Sequence, residues 1–451
     1  MNNKNRDNID EYYKENQKEF NLFFHNKFKK KINLGIYAYR IKDGGRARIT
    51  ALLMNYLNNI KIFNLYLFTI LNKEDNEYMI PDNIKRDVIK NNLINKIIKK
   101  KIKILIYQLE SPEEINLLNN IKKLKVLFYL HTSSFDWIYF NYSVFKSMYS
   151  ASDNSKYILS ILPFDNEYLF KKWGIRSVYL NNFITYDYNS TIQCDITLAK
   201  SILMIGRGDA KKKRFHIGIQ AMEYINNEVP NIELEIISNL NRINNLKNLV
   251  DNLNLNNNIQ FLGYFSSPEI LYKNISLNIF PSISEAFPMV LCETKIYGIP
   301  SILLGLDYIT VSTGGTAIIY DDSPETLSKE AFKILNNDQI KKELGMKARK
   351  SMKKFNNILL LSKWVELILS VYNGENYYLN FKDNNIDLND YKLENIIKNQ
   401  IELLKMREQR FNNITINNIN ILENIRYYSV FLFYFLPQKL KLKKRRLKYF
   451  D

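Results

Sequence analysis

"PSISEAFPMVLCETKIYGIP", residues 281–300, holds two glutamates with seven residues between them, a proline inside that interval and a glycine-proline exit. The apolar run that leads into it, "LNIFPS" (277–282), has the length and composition of a buried strand in a parallel sheet. Pro288 suits the first turn of a helix, where its missing N–H costs nothing. A helix running on from Met289 leaves the amides of Met289, Val290 and Leu291 open at the carboxyl end of that strand. Parallel sheets place their ligands at that end, and a helix start of this kind holds anions. At 1.5 Å per residue Glu293 lies about 7.5 Å along the axis from Pro288, and Glu285 precedes the helix, so the two carboxylates flank the anion site. One can hold sugar hydroxyls and the other ribose hydroxyls. The ligand this implies has hydroxyls at both ends and phosphate between: a nucleotide-sugar.

Outward from this stretch, short apolar runs alternate with longer helical patterns, the rhythm of βαβ units. One set of strands is read at 32–39, 63–70, 102–109, 125–130 and 156–162, with helices such as 47–59 between them. A second is read at 201–207, 232–238, 259–264, 277–282, 300–305 and 316–321. The expected architecture is α/β, two Rossmann-like doubly wound domains facing a cleft, joined where periodicity lapses near 183–198. The divisions are a polar N-terminal segment (1–30), an acceptor-side domain (31–185), a donor-nucleotide domain (186–372) and a helical, basic extension (373–451).

Composition agrees with a folded chain of this size. The 451 residues are 46% hydrophobic and 13% aromatic, above what disordered chains carry. Two cysteines, Cys194 and Cys292, are too few for a disulfide framework and point to a reducing compartment. The polar start lacks a signal-peptide core, and no run reaches the roughly 18 apolar residues of a spanning helix, so a cytoplasmic location is expected. A formal charge of +18 draws polyanions of any class. Its cations are scattered and no nucleic-acid recognition motif is present, so no specific nucleic-acid partner is expected.

The Glu-x7-Glu spacing resembles the signature of the retaining glycosyltransferases of family four, which have the GT-B fold. Four further stretches are similar to that family in the expected order: "KDGGRARITALLMNYL" (42–57) to its Gly-Gly-x-x-Arg opening, "VLFYLHT" (126–132) to its strand ending in histidine, "LMIGRGDAKKKRFHIGIQAM" (203–222) to its Gly-Arg and lysine segment, and "GGTAIIYDD" (314–322) to its late glycine loop. "VYLNNF" (178–183) is similar to the segment before the interdomain linker. The resemblance implies that Glu293 binds the donor ribose, that Glu285 binds the donor sugar beside Ala286, Phe287, Met289 and Val290, and that Arg207 with a following lysine binds the diphosphate. Counting forward from Gly206 favours Lys212; counting back from Phe215 and Ala221 favours Lys213, which is taken. Fixed cations there stabilise the charge that develops on the leaving nucleoside diphosphate.

His131 closes an N-domain strand at the cleft, and the family's pattern puts a histidine beside the donor sugar. Gly44 and Gly45 stand between a strand and a helix, where backbone amides can approach phosphate or sugar closely. Two positions depart from the pattern: Ala286 stands where glycine is usual, and Pro288 replaces a residue that often offers an amide. No Asp-x-Asp occurs in the chain, so no metal site and no cofactor are expected beyond the nucleotide-sugar co-substrate. The resemblance implies retention of anomeric configuration, with a glycan or lipid-linked acceptor. The alternatives left open are a sugar-nucleotide epimerase of similar fold and a non-catalytic polyanion-binding protein. The tail 427–450 follows an apolar run with seven cations between Lys439 and Lys448, a pattern that suits the anionic inner face of a membrane.

Overall fold

A computed structural model describes residues 31–374 except 109–110, 122, 134–146, 149–155, 164, 167–168, 170–175, 187, 189–190, 192, 198, 209–210, 264–270 and 307–308. The segment 1–30, most of the extension from 373 and the tail 427–450 therefore lie outside the described residues.

Two all-parallel sheets organise the chain. The first has strands β1 (Ile32–Ala38), β2 (Phe63–Thr69), β3 (Lys85–Val88), β4 (Ile104–Tyr107), β5 (Lys125–Tyr129), β6 (Lys156–Ser160) and β7 (Ser177–Tyr179), in the order β3-β2-β1-β4-β5-β6-β7. The second has β8 (Ser201–Ile205), β9 (Glu233–Ile237), β10 (Ile259–Leu262), β11 (Ile275–Phe280), β12 (Ser301–Leu304) and β13 (Thr316–Ile319), in the order β10-β9-β8-β11-β12-β13. All six residues of β11 are buried and all four of β4, as expected for strands covered by helices on both faces. In each sheet the winding reverses beside the first strand, between β1 and β4 and between β8 and β11. Ligand crevices open at such reversals, beyond the carboxyl ends of the strands.

The helices of the first unit are α1 (Gly44–Asn58), α2 (Leu93–Lys99) and α3 (Pro112–Asn119), the last capped by Ser111 accepting from the Glu114 amide. The second unit has α4 (Phe215–Glu228), α5 (Asn244–Asn252), α6 (Met289–Ile296), α7 (Pro324–Leu335) and α8 (Asp338–Ser351). The glycine pair expected in a loop is itself the first turn of α1, three residues earlier than the apolar pattern predicts. Apolar periodicity cannot see a turn made of Gly44 and Gly45.

A final helix, α9 (Asn357–Asn373), crosses back to the first sheet. Trp364 is fully buried and meets Tyr129 edge-on, ring centroids 5.1 Å apart. At its start Asn357 accepts from the Ile184 amide and donates to the Ile184 carbonyl, both at 2.9 Å, replacing a missing strand partner at the crossing. Phe287, Met289 and Leu291, at the start of α6, pack into the same apolar cluster as these residues, so one core spans both units at the cleft.

Candidate functional site

The reversal in the second sheet gathers most of the predicted donor-side residues. β8 ends at Ile205, Gly206 follows it, and Arg207 after that is exposed with no hydrogen bond or ion pair among the described residues. The chain then makes a tight turn at Lys211–Lys213. The Lys212 carbonyl accepts from the Ile283 amide at 2.9 Å, which ties this turn to the loop leaving β11. A Cβ at Gly206 would meet the Phe215 ring at 3.3 Å and Lys213 Cε at 3.5 Å, so both side chains pack over this glycine.

Lys213 Nζ reaches Glu285 Oε1 at 2.5 Å and lies 5.2 Å above the Phe280 ring. Burial alone would raise the Glu285 pKa, but Lys213 and then Lys212 outweigh it and hold the carboxyl below its usual range. Both lysines therefore act on Glu285, and Lys213 is the one in ion-pair contact. Arg214, the next residue, is buried: its guanidinium donates to the Pro281 carbonyl and pairs with Asp322, both at 2.8 Å. It buttresses the turn while Lys213 faces the cleft pair.

Pro288 caps α6 in extended conformation and the helix begins at Met289, as its sequence implies. Ala286, Phe287 and Met289 are buried and Val290 is partly so. Across the cleft, a Cβ on Gly45 would lie 3.9 Å from Met289 Cγ, while Gly44, at φ +83°, faces open space. The starts of α1 and α6 thus confront each other, one from each unit. A side chain at Gly44 would be strained by its positive φ.

Glu293 is nearly sealed, at 4% exposure. Arg48 of α1 pairs with its Oε1, Thr185 in the crossover donates to the same oxygen at 2.9 Å, and Tyr272 donates to Oε2 at 3.0 Å. The Arg48 guanidinium also lies 5.3 Å over the Tyr78 ring. Burial, then the Glu293 charge, push the Tyr272 phenol well above its ordinary pKa, so it stays a donor. This clasp draws on both units and on the segment that joins them.

His131, at the end of β5, is partly buried against Tyr129, with ring centroids 4.2 Å apart. Its Nε2 lies 3.0 Å from the Gln108 side chain, which also meets Thr50 Oγ1 at 2.8 Å. Burial, then the nearby Arg46 guanidinium, hold the imidazole well below the usual histidine range. Arg46 Nη1 donates to the Gln108 carbonyl at 3.1 Å.

Among the residues of these constellations that sequence reasoning misses are Arg48, Gln108, Thr185 and Tyr272. Arg48 had a signal, the last position of the Gly-Gly-x-x-Arg stretch. The other three sit in apolar or featureless contexts and meet their partners only through the fold.

Residues 198–351 match the family Glycosyl transferases group 1, so the chain carries a domain of that family. The chain is similar to an exopolysaccharide phosphotransferase of Streptomyces coelicolor, SCO2592, at 26% identity over 37% of this chain and 18% of that protein. It is also similar to the capsular polysaccharide biosynthesis glycosyltransferase CapM of Staphylococcus aureus, at 27% identity over 36% of this chain and 43% of CapM. The chain thus spans less than half of either relative. Among solved structures, Anabaena Alr3699/HepE in complex with UDP and glucose aligns with TM-score 0.62 at 12% identity, covering 75% of this chain and all of that one. WaaG, a glycosyltransferase involved in lipopolysaccharide biosynthesis, aligns with TM-score 0.61 at 14% identity over 74% of this chain and 99% of that one, and the two-sheet architecture is the GT-B fold.

Proposed function

We propose that the protein is a retaining glycosyltransferase that moves a sugar from a nucleotide-sugar to a glycan or lipid-linked acceptor without a metal ion. The observation that carries this reading is the convergence, at the two winding reversals, of the Lys213–Glu285 pair, the start of α6 and the Gly44–Gly45 turn opposite it. Such a place offers cations and open amides to a diphosphate and a carboxylate to the attached sugar. Arg207 and Lys213 neutralise the charge released as the sugar-phosphate bond breaks, which is stabilisation realised in the transition state. Glu285 orients the sugar, and His131 approaches it from the acceptor side. Glu293 already accepts three hydrogen bonds, and a carboxylate has about four acceptor sites, so it takes one ribose hydroxyl. Retention follows from attack on the face the diphosphate leaves, which needs no protein nucleophile.

Relatives named for exopolysaccharide and capsular polysaccharide work favour a glycan acceptor, and a structural neighbour complexed with UDP favours a uridine donor. No helix among the described residues is long and apolar enough to cross a membrane. The test is a panel of UDP-, GDP- and ADP-sugars scored by thermal stabilisation, because a ligand that binds only the native state raises the melting temperature, followed by transfer assays with the best binder. Stabilisation by one donor class and sugar transfer with retained anomeric configuration are expected. No stabilisation by any nucleotide, or isomerised donor appearing without an acceptor, would overturn the reading.

A further inference from the structure

We propose that Gln108 is a positioning residue that holds His131 as its Nδ1–H tautomer, so that the open nitrogen of the ring offers a hydrogen-bond donor to the cleft. The two ends of a carboxamide have the same shape, and the hydrogens around them decide which is which. Thr50 Oγ1 carries one hydrogen and lies 2.9 Å from the Arg46 carbonyl and 2.8 Å from the Gln108 amide. Back-bonding to the carbonyl four residues earlier is the ordinary use of that hydrogen in a helix.

If the oxygen end of Gln108 faced Thr50 and His131, one hydroxyl hydrogen would have to serve two acceptors. The amino end would then be buried with no partner among the described residues. Turned end for end, the amino group gives one hydrogen to Thr50 Oγ1 and the other to His131 Nε2, and Thr50 donates to Arg46. Every hydrogen is then placed and only a carbonyl oxygen lacks a partner, the less unusual deficit in a protein interior. Gln108 is 2% exposed, so water does not relieve the other arrangement.

A ring nitrogen that accepts from an amide carries no proton, which in a neutral imidazole puts the proton on Nδ1. Burial and then the Arg46 guanidinium keep the ring neutral. Nδ1 has no partner among the described residues. A donor there fits a sugar hydroxyl oxygen or a phosphoryl oxygen and rejects a group that can only donate. The effect on transfer rests on the proposed place of His131 beside the donor sugar; the tautomer itself does not.

The chain has three histidines, His25, His131 and His216, so long-range proton–nitrogen correlation spectra of the full chain can be assigned with His131→Gln. The wild type is expected to show the Nδ1–H pattern for His131 from pH 6 to 8. Gln108→Leu should release it to a mixture of tautomers, and Gln108→Glu should draw a proton onto Nε2. Turnover in both variants should fall about ten- to a hundredfold, as for other groups that orient a ligand from outside, with affinity for bare UDP unchanged. An Nε2–H pattern in the wild type overturns the proposal whether or not the variants fold, and so does a tautomer indifferent to Gln108→Leu. A shifted tautomer with unchanged turnover supports the assignment and refutes instead the role of His131 in transfer.

Discussion

Replacing Arg48 by methionine keeps the length of its stem but removes the charge that pairs with Glu293 across the two units. Glu293 would be left 4% exposed with Thr185 and Tyr272 as its remaining donors. Removing one partner of a buried pair costs about 3–5 kcal/mol, because the other charge stays behind without compensation. The Arg48 side chain is 29% exposed, so water moderates the loss and about 2–4 kcal/mol is expected. Glu293→Gln should cost less, about 1–2 kcal/mol, since one of the two hydroxyls can still donate to the amide oxygen while the other accepts from the amide NH2, and Arg48 can turn toward water. The double variant should recover about 1–3 kcal/mol relative to the sum of the single changes, the usual coupling of residues in contact. Urea unfolding of the four proteins, read by fluorescence and by circular dichroism together, measures all three values. Additivity within about 0.5 kcal/mol would mean that the Arg48–Glu293 pair has no coupling of its own and would refute its role in holding the units together.

Three further outcomes are expected. Arg207→Ala should lower turnover about a hundredfold, as loss of one preorganised charge-stabilising group does, while activity survives EDTA; full loss with EDTA restored by manganese would refute the assignment of that work to side chains. Lys295, fully buried and donating to the Val311 and Thr313 carbonyls at 2.5 and 2.7 Å, is pulled by burial from the ordinary 10.5 to about 7. Between those values the unfolded chain binds a proton that the native state does not, so stability should rise with pH at up to about 1.4 kcal/mol per unit. Urea unfolding at pH 7 and 9 should show that rise in the wild type and not in Lys295→Met, and parallel slopes would sink it. Truncation at residue 426 should abolish co-sedimentation with anionic vesicles while sparing nucleotide-sugar binding, and a truncated protein that pellets as well as the full chain would refute a membrane role for the tail.

The strands legible in the sequence are those rich in apolar residues, such as "INLGIYA" and the "LNIF" end of β11, because burial on both faces favours apolar side chains at successive positions. Strand β3, "KRDV", is polar and lies at the sheet edge, and β7 is three residues long, so neither carries enough pattern to be read. The Glu-x7-Glu segment could be read because loop, proline and helix start are contiguous. The Arg48–Glu293 pair is separated by 245 residues and Asn357 meets Ile184 across 173. Contacts of that span have no local signature. The same holds for Gln108, which looks like any polar residue at a strand end until His131 and Thr50 are seen beside it.

Because α9 returns to the first sheet, the backbone passes between the units twice, once through Ile184 and Thr185 and once through the segment ahead of Asn357, and Asn357 staples the two crossings together. A molecule joined by one strand of chain can twist freely about it, like a lamp on a cord. Two stapled strands define an axle, so any motion of one unit against the other is confined to a swing about that line. The same arrangement means that neither half is a self-sufficient fragment. A piece ending near residue 185 would expose the slot that Trp364 fills and should aggregate, whereas co-expression with the remainder should restore a soluble pair.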